Sequence, residues 1–140
     1  MAFDTQVKEI TIGLGQYLSG LGIGVWGSGF TPSQTPITFG KIPQEFASAI
    51  GLTPGIVSSD RSVGTAILRV QCYFRGVDES SLSDLRGAVK EAVDHRERLV
   101  FGGHVIPKVW WSSGASFGDT NGRDFEASDN YYMHFAQPER

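Results

Sequence analysis

A chain of 140 residues with one cysteine and a net charge of −3 has room for a single domain and cannot form an internal disulfide. Its 40% hydrophobic and 19% charged content excludes a disordered chain, and the lack of a Lys/Arg excess argues against tight, sequence-specific nucleic-acid binding. No apolar run approaches the roughly eighteen residues that a membrane span needs, and the N-terminus, broken by Asp4 and Lys8, does not read as a signal peptide, so a cytoplasmic site of synthesis is expected.

Phe3, Val7, Ile10, Leu14, Tyr17, Leu18 and Leu21 recur at helical spacing, with Gln6, Lys8, Glu9 and Gln16 on the other side, which predicts an amphipathic helix from Asp4 to Ser19. Gly13 and Gly15 weaken it by about 1 kcal/mol each relative to alanine, and Gly20 or Gly22 stops it. Ile23, Val25 and Trp26 make a short strand. Residues 27–43 hold Pro32, Pro36 and Pro43 among Gly, Ser and Thr and read as a long loop with an extended piece at Ile37–Phe39. Phe46–Leu52 alternates weakly as a second strand, and Thr53–Gly64, with Pro54-Gly55, reads as loop. Thr65–Arg75 is the clearest strand: Leu68, Val70, Cys72 and Phe74 face one way, and Arg69, Gln71, Tyr73 and Arg75 the other.

The clearest helix follows, capped by Asp78 or Ser80, with Leu82, Leu85, Val89, Ala92, Val93, Leu99 and Val100 as its apolar stripe and Gly102-Gly103 as its stop. His104–Trp111 is a strand whose Pro107 places it at an edge or a bulge. Asn121-Gly122 marks a hairpin turn, because both residues tolerate positive φ, and Asp124–Phe135 is the returning strand. The fold class expected is α+β: two helices packed on one face of a mostly antiparallel sheet of four to five strands, with long loops, in one domain spanning residues 1–140.

No pattern here carries catalysis, a cofactor or a metal. Gly22-Ile23-Gly24-Val25-Trp26-Gly27 matches GxGxxG but follows a helix, where a dinucleotide site requires a strand before and a helix after. His95, His104, His134 and Cys72 share no zinc-ligand spacing. Cys72 reads as a small buried hydrophobe, His95 as a helix-surface residue, and Asp60, Asp78, Asp119 and Asp129 as turn or cap residues. The polar strand face of Arg69, Gln71, Tyr73 and Arg75 is open to two readings, a wetted sheet face or a contact with a neighbouring subunit. The aromatic load of the last two strands (Trp110, Trp111, Phe117, Phe125, Tyr131, Tyr132 and Phe135) exceeds what one core face takes up, which favours an interaction surface.

The stretch Trp111-Ser112-Ser113-Gly114-Ala115-Ser116-Phe117-Gly118, then Asn121-Gly122-Arg123 and Ser128-Asp129-Asn130-Tyr131-Tyr132, resembles the C-terminal end of tail terminator proteins of long-tailed phages, also known as minor capsid or tail completion proteins. Val70-Gln71-Cys72-Tyr73-Phe74-Arg75-Gly76 is similar to their central strand, and the helix after it and the N-terminal helix ending near Tyr17-Leu18 agree in order. Phe117 stands where leucine is usual, and Asp124-Phe125 where an aromatic-Glu pair is common. The resemblance implies a non-enzymatic virion part. Its copies form a ring of six at the head-proximal end of the tail tube, stop tube growth and join the tail to the head connector. DNA passes through the lumen unread, and mild acidity suits such a channel. Arg69, Gln71, Arg75, Trp111, Phe117, Arg123 and Tyr132 are the expected contact residues between subunits or with the tube. A head-side stopper or completion protein is the related alternative. A small-ligand or enzymatic domain using an aromatic cleft near Trp110 is the alternative of another class. Replacing Arg75 by glutamate is expected to impair the ring and spare the fold.

Overall fold

A computed structural model describes residues 3–60, 64–120 and 124–136. In chain order the elements are α1 (Phe3–Gly20), β1 (Val25–Trp26), β2 (Pro36–Phe39), β3 (Ala49–Asp60), β4 (Thr65–Gly76), α2 (Glu79–Val93), β5 (Glu97–Phe101), β6 (His104–Thr120) and β7 (Asp124–Ala136). The strands form one sheet in the order β1-β2-β3-β4-β7-β6-β5. The β1–β2 and β2–β3 pairs are parallel and the rest antiparallel. This corrects the expected antiparallel sheet of four to five strands: the sheet is seven-stranded, mixed and curved into a half-barrel.

The extended piece expected at Ile37–Phe39 is the strand β2, which makes both parallel pairs, and three further local features separate the structure from the expectation. First, β3 runs on through Pro54-Gly55, which had read as loop. Leu52 O accepts from Gly40 N on the β2 side. Pro54, two residues on, points its donor-less nitrogen the same way, past the end of β2, where no ladder bond is lost. Second, Leu99 and Val100 belong not to the helix but to β5. α2 ends at Val93, and His95 (φ 59°) and Arg98 (φ 58°) turn the chain through left-handed conformations. Gly102-Gly103 (φ 59° and 81°) is then a two-residue hairpin turn rather than a helix stop. Third, β6 continues nine residues past its expected end at Trp111, paired with β7 except at bulges that leave out Ser112 and Phe117. The Asn121-Gly122 turn itself lies outside the described residues.

α1 touches β1, β2 and β3 towards one end of the sheet and β5 towards the other, so the sheet curls around it and the helix-free face is the outer one. Ile10, Leu14 and Leu18 of α1 and Leu82 and Val89 of α2 meet Leu68, Val70, Cys72 and Phe74 of β4 in one core. Full burial of each large apolar side chain contributes about 1.5–3 kcal/mol, which outweighs the propensity cost of two helix glycines. Two residues depart from the expected stripe of α1. Leu21 is exposed, and Gln6 is buried, donating from Nε2 to Ala136 O at 2.6 Å and so tying the helix to the end of β7.

Candidate interaction surface

Strand alternation puts Arg69, Gln71, Tyr73 and Arg75 of β4 on the helix-free face, opposite Tyr132, Asn130, Ser128 and Glu126 of β7. Trp110 of β6 faces Tyr132 edge-on at 5.7 Å between ring centroids and lies 5.1 Å from His134. A bulge between Ser116 and Gly118 frees Phe117 from the ladder. Its ring stacks on Tyr73 at 5.7 Å with 19° between planes, while its other side remains exposed. Ser128, across from Tyr73 in the register, is buried although polar. The Tyr73 hydroxyl is pushed above its ordinary pKa by burial and by the neighbouring Glu126 carboxylate.

Arg75 turns inward on this face. Its Nη1 donates to Pro43 O (2.9 Å) and Phe46 O (3.3 Å), and its Nη2 lies 3.4 Å from Glu126 Oε2. The guanidinium thereby pins the segment before β3 across the sheet. The same segment crosses Gly51, where a Cβ would lie 2.4 Å from Gly40 O. Between the pinned segment and the sheet is an open cleft of about 490 Å³ lined by Ile42, Thr53, Gln71, Tyr73 and Arg75 among others. A charge reversal at Arg75 therefore removes the donor shared by the Pro43, Gln44 and Phe46 carbonyls and sets like charge beside Glu126, so it has a cost within the monomer. Arg69 is exposed, and its guanidinium lies over Gly55, with Nη2 2.7 Å from where a Cβ would sit.

Trp111 lies on the opposite face, beneath α2. Its backbone N donates to Asp94 Oδ1 (2.7 Å) and its indole N to Asp129 Oδ1 (3.0 Å), with Lys90 Nζ 4.5 Å above the ring. Asp129 had read as a turn residue. It is instead a buried carboxylate within β7, held at both oxygens by Arg86 (2.9 and 2.7 Å). That fork-to-fork pairing raises the Arg86 pKa further. Gly114 stands opposite Asp129 in the register, and a Cβ there would lie 2.3 Å from Asp129 Oδ1.

The structure thus gathers Arg69, Gln71, Arg75, Phe117 and Tyr132 on one face and places Trp111 on the other. Arg123 lies outside the described residues. The sequence reading did not foresee Glu126, the pinned segment or the Arg86–Asp129–Trp111 network. The spacing of Arg86 and Asp129 carries no signal of their contact, since only the strand register joins them. Among the described residues no cluster of His, Cys, Asp or Glu is placed to hold a metal, and no helix is long and apolar enough to cross a membrane.

No family model matches the chain, and no curated protein matches it. Among solved structures, the fold is similar to that of a chain in the virion of a native gene transfer agent particle, with a TM-score of 0.60 and 10% identity over 71% of this chain and 78% of that one. At that identity the likeness is one of fold.

Proposed function

We propose that this chain is a structural, non-enzymatic protein of a phage-like virion, and within that class a tail terminator. Its copies would close a ring at the head-proximal end of the tail tube, stop tube growth and join the tail to the head connector, with DNA passing through unread. The observation that carries this reading is the fold shared with a chain of a gene transfer agent virion over most of both chains. The sequence resemblance to tail terminators adds the finer role. Of the three C-terminal stretches that carry it, Trp111–Gly118 and Ser128–Tyr132 lie side by side on β6 and β7, and Asn121–Arg123 lies outside the described residues.

A ring needs a heterologous contact, one surface of each subunit meeting a different surface of the next. The helix-free face, with Arg69, Gln71, Phe117 and Tyr132 on it, is the proposed half contributed by one subunit. In a lysate of the parent phage lacking this protein, electron micrographs are expected to show overlong tails detached from heads. Tails of normal length beside leaking heads would assign the chain to the head-side stopper instead, and normal particles would remove it from the virion altogether.

A further inference from the structure

β5 pairs with β6 only along His104–Lys108. The next donors on that side are closed within the chain: Val109 N donates to Arg96 O at 3.1 Å and Trp111 N to Asp94 Oδ1 at 2.7 Å. From Ser112 onward no described strand flanks β6 on this side, although it continues to Thr120 along β7. Residues 112–117 are exposed. Natural sheet edges are blunted by lysine, by proline or by being short. Ser112–Gly118 contains no charged residue and no proline. Bulges bend its two ends, but Ser113–Ser116 keep a regular register with Asn130–Ala127. An open edge of this kind is a template for one more strand.

Beside the edge stands a shelf formed by one flank of α2. Ser83, Arg86, Gly87 and Lys90 line it with Trp111 and Asp129 around an open cleft of about 200 Å³. The charges of Arg86 and Asp129 cancel. Lys90 is exposed over the Trp111 ring and has no carboxylate partner among the described residues. Asp84 lines a separate cleft on the other flank of α2. Gly87 leaves the shelf open, since a Cβ there would meet nothing within 4 Å. On the opposite side of the sheet, β3 past Leu52 is also unflanked by a described strand, because β2 pairs only with Ile50–Leu52. β1 has two residues, and Trp26 N is already bonded to Ser19 Oγ at 3.1 Å.

The geometry points to the Ser112–Gly118 edge of β6 as a docking site for an extended, acidic segment of a partner protein. The segment adds as a strand and sets a carboxylate beside Lys90. Main-chain hydrogen bonds supply the affinity, and the side chains at every second position, facing the shelf, supply the selectivity. This inference does not depend on ring formation or on the terminator role, and it is tested on the isolated full chain.

The probe is the capped peptide Thr-Val-Glu-Val-Glu-Val-Thr, compared with the same peptide carrying lysine in place of both glutamates. Binding is followed by amide NMR shifts and hydrogen exchange. The acidic peptide is expected to bind about tenfold tighter, a difference of about 1.4 kcal/mol, and to protect the amides of Ser112–Gly118. Lys90→Glu, a change on an exposed helix face, is expected to abolish or invert the preference. An acidic peptide N-methylated at alternate residues keeps its charge, loses its donors and is expected not to bind. Equal affinity for both peptides, no binding of either, or shifts mapping elsewhere would overturn the proposal. So would protection of Ser112–Gly118 in the peptide-free chain that rises with its concentration, since a second copy would then be the occupant.

Discussion

Cys72 is fully buried on β4, directly opposite the Asp129 carboxylate on β7 and two register positions from Tyr131. Loss of solvation, and secondarily the Asp129 charge, pushes the thiol far above its ordinary pKa; burial does the same to the Tyr131 hydroxyl. For an acid, a raised folded-state pKa means that the fold favours the protonated form. The contribution is therefore complete below the unfolded thiol value of roughly 8.5 and is lost as pH rises beyond it, by about 1.4 kcal/mol per pH unit for one group. The difference in stability between the native chain and Cys72→Ala, measured by urea unfolding, is expected to be constant up to about pH 8 and to shrink with that slope above it. A difference that stays flat to pH 10 would mean the thiol ionises freely in the fold. The same neighbourhood shows why residue type alone misleads. Asp129 is a residue that sequence rules place in turns, and here Arg86 and the Trp111 indole hold its carboxylate inside the sheet, with Gly114 giving it room.

The two helices carry glycines of opposite meaning. Gly87 lies in α2 with open space around it, whereas a Cβ on Gly13 of α1 would fall 2.2 Å from Gly102 N and 2.5 Å from Phe101 C. Both positions gain helix propensity on substitution. Gly87→Ala is expected to stabilise the chain by about 1 kcal/mol. Gly13→Ala is expected to lose on the order of 1–3 kcal/mol through overpacking, because the neighbour is backbone and cannot swing aside. Chemical denaturation of the two variants decides it, and a stabilised Gly13→Ala would show that α1 does not dock on the β5–β6 turn this closely. From sequence, Gly13 and Gly15 were legible only as helix weaknesses. Their purpose lies in tertiary approach, Gly15 against the Trp26 ring and Gly13 against a turn ninety residues away along the chain. What periodicity did convey is β4, whose inward set Leu68, Val70, Cys72 and Phe74 is wholly buried, and the Asp78 cap of α2, whose carboxylate accepts from Ser81 N at 2.7 Å. What it missed has a common cause. The Pro54 stretch of β3 and the far half of β6 are strands made by pairing, rich in Gly, Ser or Pro, and β5 is a five-residue strand whose Leu99 and Val100 also fit the helical stripe before it; in none do the residues alternate strongly enough to announce a strand.

At the scale of the whole molecule, a protein that acts by contact must keep its contact residues free of internal duty. Of the two arginines that β4 sends to the helix-free face, Arg75 holds the segment before β3 and Glu126. Arg69 instead lies flat over Gly55 with its side chain in solvent, across from Tyr132, which Trp110 meets edge-on. Arginine beside tyrosine and tryptophan is the composition enriched where interfaces carry most of their energy. Arg69→Glu reverses a charge there without opening the core, so its stability is expected to stay within about 0.5 kcal/mol of the native chain. If this face is one half of the ring contact, native mass spectrometry and light scattering of the variant should find monomer under conditions where the native chain assembles. Arg75→Glu would lower stability and assembly together. An Arg69→Glu chain that still forms complete rings moves the contact to another surface, and the helix-free face would then be a solvated one.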